Sequence, residues 1–263
     1  MSELIPGTSK SFQGLEVDYA FFEQSIDECE QALRQWRPLL QNHAFPERVR
    51  VLDFGCGTGI FTLQVLELLN RAPEETEIYF VEPAASSFES ARTLFEQMGF
   101  AKVEGVGSLD ELTTTDFFDL IFSHHVLYYV PSPALAFQVL KQRAAENCLM
   151  LHVVGGEANG PGLLQNRALG QAGLTSPYHQ GVDIRDCFLE IFPKGLVTPF
   201  QTHLRMADTR GNRASIMRFL IGEFGEKVSF EQALALFDPF AHDGEIVVPS
   251  EELSLSWESW GLG

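Results

Sequence analysis

Apolar residues along this chain fall into two rhythms. From Phe22 to Trp36 they recur at spacings of four, three, four and three (Phe22, Ile26, Cys29, Leu33, Trp36). That spacing predicts one helix with a continuous apolar face, with Pro38 close to its end. Past residue 48 the pattern changes to short apolar runs separated by amphipathic stretches. Val49–Phe54, Ile78–Val81, Lys102–Val106, Leu120–Ser123 and Cys148–Val154 read as strands. Residues 61–69 read as a helix, and Phe88, Ala91, Phe95 and Met98 mark the inner face of another. Ser132 and Pro133 form an N-cap and first helical residue ahead of Leu135, Val139 and Leu140. Strands alternating with helices of this length predict a parallel sheet covered on both faces.

Beyond residue 155 the rhythm is less regular. The stretches GPGLL and GQAG suggest a lid-like segment with a short helix. Leu196–Met206 is long enough for a strand, and two helices follow, one carrying Met217, Leu220 or Ile221, and Phe224, the other Phe230, Ala233, Leu234 and Phe237. EIVVPSEELSLSW reads as a final strand interrupted at Pro249, which suits an edge or a bulge. Trp257 and Trp260 are candidates to cap the sheet edge or reach a partner. No linker separates a second domain. Residues 1–263 are therefore expected to form one unit: a helical cap over 1–45, a ligand-binding core over 46–155, and a substrate-side and C-terminal sheet region over 156–263.

Charge narrows the functions. Asp and Glu number 36 against 18 Lys and Arg, a formal net charge of −18. A nucleic-acid binder needs a basic footprint, and anionic lipid repels such a surface. The partner is expected to be small, neutral or cationic. Cys29, Cys56, Cys148 and Cys187 are scattered without zinc spacing. With no leader-like N-terminus and no apolar run long enough for a membrane span, the expectation is a cytoplasmic chain with reduced thiols.

The chemistry concentrates at VLDFGCGTG, residues 51–59. A strand ends at Asp53, and Gly55, Gly57 and Gly59 permit a sharp turn and close approach of a ligand to the backbone. A helix N-terminus with free N–H groups follows. Cys56 reads as a small filler in the turn. Asp53 before the glycines would repel a pyrophosphate and attract a ligand ammonium, which disfavours a dinucleotide dehydrogenase. Glu82, after the next strand, is placed to accept both hydroxyls of a ribose.

VLDFGCGTG followed by FVEP resembles the cofactor site of class I S-adenosylmethionine-dependent methyltransferases over roughly residues 49–155. The resemblance implies a Rossmann-like α/β fold: a seven-stranded, mostly parallel sheet with an antiparallel last strand, helices on both faces and helical lid elements. It implies that Asp53 and the Gly55, Cys56, Gly57 and Gly59 loop hold the methionine moiety and Glu82 the ribose. Pro83 and Ser87 would lie beside that ribose, Ser108 and Leu109 would flank adenine, and His124 would give a contact after the fourth strand. The acid that usually precedes the adenine contact is absent from GSLDEL, so either Ser108 supplies that hydrogen bond or the adenine contact lies elsewhere.

SHHVLYYVPSP and FVEPAASSFESA are further similar to histamine N-methyltransferase and its relatives. This likeness implies substrate contacts from His125 and Tyr129, which would carry the catalytic step, and from Asp27 and Glu251. His125 and Glu251 stand where those relatives have glutamine and asparagine. No metal site is expected, because His124 and His125 would point to opposite faces if the strand continued. The expectation is N-methylation of an amine-bearing small molecule. O-methylation of a hydroxyl or carboxylate, served by Arg205, Arg210, Arg213 and Arg218, is the alternative, and a protein or peptide acceptor or a non-catalytic cofactor-binding module stays open.

Overall fold

The computed structural model describes residues 14–113 and 117–259. The expectation at Trp260 and the first thirteen residues of the expected helical cap lie outside the described residues. Strands β1 (Val49–Phe54), β2 (Thr76–Val81), β3 (Lys102–Val106), β4 (Phe118–His124), β5 (Ala144–Gly155), β6 (Leu196–Ala207), β7 (Ala241–His242) and β8 (Glu245–Glu258) form one sheet. Its order is β3-β2-β1-β4-β5-β8-β6, with the two-residue β7 also paired to β8. β1 to β5 run parallel, while β8 is antiparallel to both β5 and β6. The strand order reverses between β1 and β4, and in such sheets the crevice outside the carboxyl ends of those strands is where ligands bind.

Helices cover both faces. On one, α2 (Glu28–Asn42), α3 (Ile60–Leu69) and α4 (Ala85–Gln97) enclose Trp36, Val51, Val65, Phe80, Phe95 and Phe122. On the other, α5 (Pro133–Gln142) and α7 (Gly181–Ile191) pack Phe137, Phe188 and Phe192 against Leu52, Ile121 and Met150. A third cluster gathers α1 (Glu16–Ser25), α6 (Gly160–Gln171), α8 (Arg210–Ile221) and α9 (Phe230–Ala235) over the far halves of β6 and β8. Ser132 caps α5 as expected, its Oγ accepting the Leu135 N–H at 3.3 Å.

Several expectations need correction. The helix predicted across Phe22 to Trp36 is two helices broken at Ile26 and Asp27. Ile26 is extended (φ −119°, ψ 141°) and bridges Leu204 of β6. The Asp27 carboxylate accepts the His203 N–H at 2.6 Å. Phe22, Ile26 and Trp36 stay buried, so the apolar face survives while pairing to β6 overrides helix continuity. Met98 lies past the end of α4 and is exposed, as is Leu135; Ala136, Phe137 and Leu140 form the inner face of α5. Pro249 makes no bulge and does not interrupt the strand, but it does lie at a local edge, where β8 is paired on the β6 side alone. β8 pairs β6 in unbroken register from Leu196↔Ser256 to Ala207↔Glu245, and Pro249 falls beyond the end of its pairing with β5. Helix α7 has no counterpart in the sequence reading; its buried residues are Ile184 and Phe188.

Trp36 anchors α2 to the sheet. It is fully buried and its Nε1–H donates to Ser254 Oγ of β8 at 3.1 Å. Trp36→Ala is expected to cost ~3–5 kcal/mol in urea unfolding, and Trp36→Phe much less. Equal losses would show that the indole volume is not what seats this helix.

Candidate functional site

The crevice at the β1–β4 switch is built first by glycine. Gly55, Gly57 and Gly59 have φ of 84°, 56° and 84°, where side chains are strained. A Cβ at Gly55 would collide with the Val126 side chain, and one at Gly59 would meet Phe95 Cζ at 2.7 Å. A Cβ at Gly57 would meet nothing within 4 Å, so this backbone faces open space. The Cys56 thiol is buried and pushed up in pKa, by burial first and then by Asp53 and Glu82. It suits the filler role rather than that of a nucleophile.

Two buried carboxylates frame this loop. Asp53 accepts a hydrogen bond from Thr62 Oγ1 at 2.5 Å. Burial raises it to about 7; Thr62 opposes the rise and Glu82 adds to it. Glu82 accepts the Gly57 N–H on Oε2 at 3.0 Å and the Ala84 N–H on Oε1 at 2.8 Å. Burial raises its pKa too, against these two donors. Pro83 is exposed and Ser87 half-buried on the first turn of α4. Ser108 donates to Glu111 Oε1 at 3.0 Å beside half-buried Leu109. An acid thus stands next to Ser108 after all, three residues on.

The end of β4 departs from expectation. The strand stops at His124, and His125 takes a left-handed conformation (φ 55°). Alternation therefore fails there, and the two imidazoles lie on the same side with centroids 4.6 Å apart. His124 stacks on Phe61 at 4.3 Å. His125 Nδ1 lies 3.1 Å from Tyr128 Oη, which also accepts the Gly155 N–H. Tyr129 packs edge-on to Tyr178 at 5.1 Å. Burial lowers the pKa of both histidines; the neighbouring His125 adds to the effect on His124, while Glu252 opposes it on His125.

Two acids converge on His125. Its Nε2 lies 3.4 Å from Glu28 Oε2 and 3.8 Å from Glu252 Oε2. Glu28 is raised to about 8 by burial, then by Glu23 and Asp27. Glu252 is raised to about 7 by burial, with His125 opposing and Glu28 adding. Its Oε1 accepts from Asn159 Nδ2 (2.7 Å) and Ser250 Oγ (2.8 Å), while Oε2 has no hydrogen-bond partner.

The structure therefore gathers His124, His125 and Tyr129 near one another but leaves Asp27 and Glu251 outside the cluster. Asp27 is committed to His203 and to Gln31 Nε2. Glu251 points to the other face of β8, against Gly156. Their chain neighbours Glu28 and Glu252 take the places expected of them. Sequence signals for both exist. Glu28 stands four residues before Ala32 and eight before Trp36, both fully buried. Glu252 alternates with Ser250 and Ser254 on a buried polar face. Glu252 shows zero exposure, so it does not face water.

A model of the methyltransferase domain matches residues 28–188. The match spans more than half of the chain, and the chain belongs to that family: it is an S-adenosylmethionine-dependent methyltransferase. The match takes in the glycine loop, Glu82 and the histidine pair and ends before β6 and β8. Solved structures agree on the fold. The YcgJ protein of Bacillus subtilis superposes with a TM-score of 0.56 at 14% identity, over 88% of this chain and 99% of its own. The plantazolicin methyltransferase BamL, solved with a triazolic desmethylPZN analog and S-adenosylhomocysteine, gives 0.52 at 14% identity, over 94% and 91%. The [4+2]-cyclase SpnF gives 0.52 at 15% identity, over 88% and 83%. No curated protein matches the sequence.

The loop geometry orders two substitutions. Gly57→Ala is expected to cost ~1–2 kcal/mol for the left-handed backbone alone. Gly55→Ala adds the collision with Val126 and should lower the urea midpoint further. The reverse order would contradict this packing of the loop on the residue after His125.

Proposed function

We propose that this methyltransferase transfers a methyl group to an amine nitrogen of a small molecule or peptide. The observation that carries the reading is the pair of buried carboxylates, Glu28 and Glu252, converging on His125. Such a chamber attracts an ammonium, and the faces of Tyr129 and Tyr178 add cation–π attraction. The likeness of LYYV and FVEP to histamine N-methyltransferase supports the same acceptor class.

The residues of the crevice fit the donor. Open space over Gly57 admits a ligand close to the backbone, and Glu82 keeps lone pairs for ribose hydroxyls beside its two backbone bonds. Asp53 and the Gly55–Gly59 loop would receive the cationic amino-acid tail, Pro83 and Ser87 would lie by the ribose, Ser108 and Leu109 would flank adenine, and His124 would close the crevice from β4. S-adenosylmethionine supplies a sulfonium methyl that already carries its leaving group. The protein must mainly align the acceptor, and such positioning supplies ~7–11 kcal/mol of a displacement barrier.

An amine attacks only when neutral. His125, held neutral by burial, is placed to take its proton at Nε2, with Glu28 and Glu252 stabilising the imidazolium that results. Tyr129 would orient the acceptor. The arginines of the O-methylation alternative are largely engaged elsewhere. Arg210 pairs with Glu231, Arg213 with Asp208 and Asp238, and Arg218 with Asp18. A carboxylate acceptor would also meet like charge.

The two carboxylates have raised pKa values, so both ionise as pH rises through about 7 and about 8. Turnover of an amine acceptor, followed as S-adenosylhomocysteine release, is expected to climb across pH 6 to 9, and Glu252→Gln should cut kcat/KM at least tenfold. Methyl-ester formation from a carboxylate panel with silent amines would overturn the reading.

A further inference from the structure

The chamber at the end of β4 holds more than a base. Because His125 breaks the strand, Glu28, His124 and His125 each present one ligating atom, all within 4.8 Å of one another. The Nε2 atoms of both histidines are buried with no hydrogen-bond partner, and so is Glu252 Oε2. Buried polar atoms are nearly always bonded, and a cluster of exceptions marks a place for a group that protein atoms do not supply.

We propose that Glu28, His124 and His125 form a binding site for a divalent first-row transition-metal ion of the zinc or iron(II) class, with the Glu252 carboxylate beside the three ligands. Two imidazoles and one carboxylate are a ligand set for these ions, whereas magnesium and calcium take oxygen donors. Ligands on a tetrahedral ion at ~2.0–2.1 Å stand ~3.4 Å apart. His125 Nε2 and Glu28 Oε2 are separated by 3.4 Å, and a ligating atom of His124 lies within 4.8 Å of both ligand partners.

The surroundings support the ligands. His125 Nδ1 faces Tyr128 Oη at 3.1 Å, which can accept its proton and leave Nε2 as the lone-pair nitrogen. His124 is held by Phe61 stacking. Glu28 begins α2, seated by Trp36. Glu252 Oε1 is fixed by Asn159 and Ser250, which leaves Oε2 turned toward His125. Three protein ligands leave a four-coordinate ion one open position. Proton acceptance by His125 and metal ligation use the same nitrogen and exclude each other; in the loaded protein Glu252 Oε2 is the base within reach.

The test needs neither methyl donor nor acceptor, so its outcome is separable from that of the amine reading. The full chain, stripped by chelator, is titrated with cobalt(II) under visible absorption and with zinc(II) against a chromophoric chelator. Magnesium serves as the control. We expect one transition-metal ion per chain with a four- or five-coordinate cobalt spectrum, no response to magnesium, and at least tenfold weaker binding in both His124→Gln and Glu28→Gln, each checked for folding by circular dichroism. No binding by the wild-type chain below millimolar ion would overturn the site. So would undiminished affinity in a folded variant, since the ion would then lie elsewhere.

Discussion

Glu82 is the constraint on which the crevice depends. Its carboxylate joins the N–H of Gly57, in the loop after β1, to the N–H of Ala84, in the loop after β2. One side chain thus fixes two backbone segments that converge from neighbouring strands. The backbone of Glu82 extends the tie to β3 through the Val106 carbonyl. The cost is a half-desolvated charge, visible in its raised pKa. A methyl donor bound as proposed would bring sulfonium and ammonium charge that relieves this cost, at Glu82 and at Asp53 one strand away.

The cluster around His125 follows from a different local event. β4 ends at His124 because His125 adopts a left-handed backbone. That turn places both imidazoles over the same space and sends Tyr128 back to cap Gly155 at the end of β5. α2 and β8 then each contribute one acid from outside. The matched domain spans residues 28–188, so Glu28 stands at its first residue and Glu252 beyond its last. The glycine loop, Glu82 and the histidine pair thus lie within the matched domain, and one of the two acids beside His125 comes from the C-terminal strand outside it.

Much of this was legible in the sequence. Parallel strands buried on both faces read as apolar runs, which is why Val49–Phe54 and Cys148–Val154 stand out. The glycine loop is visible because left-handed backbone and close packing restrict the residue type. The cluster around His125 was legible only to within one residue. Alternation on a strand makes Glu251 and Glu252 opposite in direction, and which of them faces inward depends on the β6–β8 register, a long-range fact. Asp27 lies in the helix break and Glu28 opens the helix after it, and that break is imposed by the bridge of Ile26 to Leu204 and not by local propensity. The turn at His125 is equally tertiary, since nothing in SHHV announces a left-handed residue.

The claim at the centre is that the carboxylate of Glu82 receives the ribose of the methyl donor. Calorimetric titration of S-adenosylhomocysteine into the wild-type chain and into Glu82→Ala and Glu82→Gln variants tests it most directly, with unfolding curves to show that the loops persist. Loss of hydrogen bonds to a charged acceptor, each ~1.5–3 kcal/mol, predicts affinity lower by tenfold or more in the alanine variant, with the glutamine variant between. A folded alanine variant that binds as tightly as the wild type would contradict it.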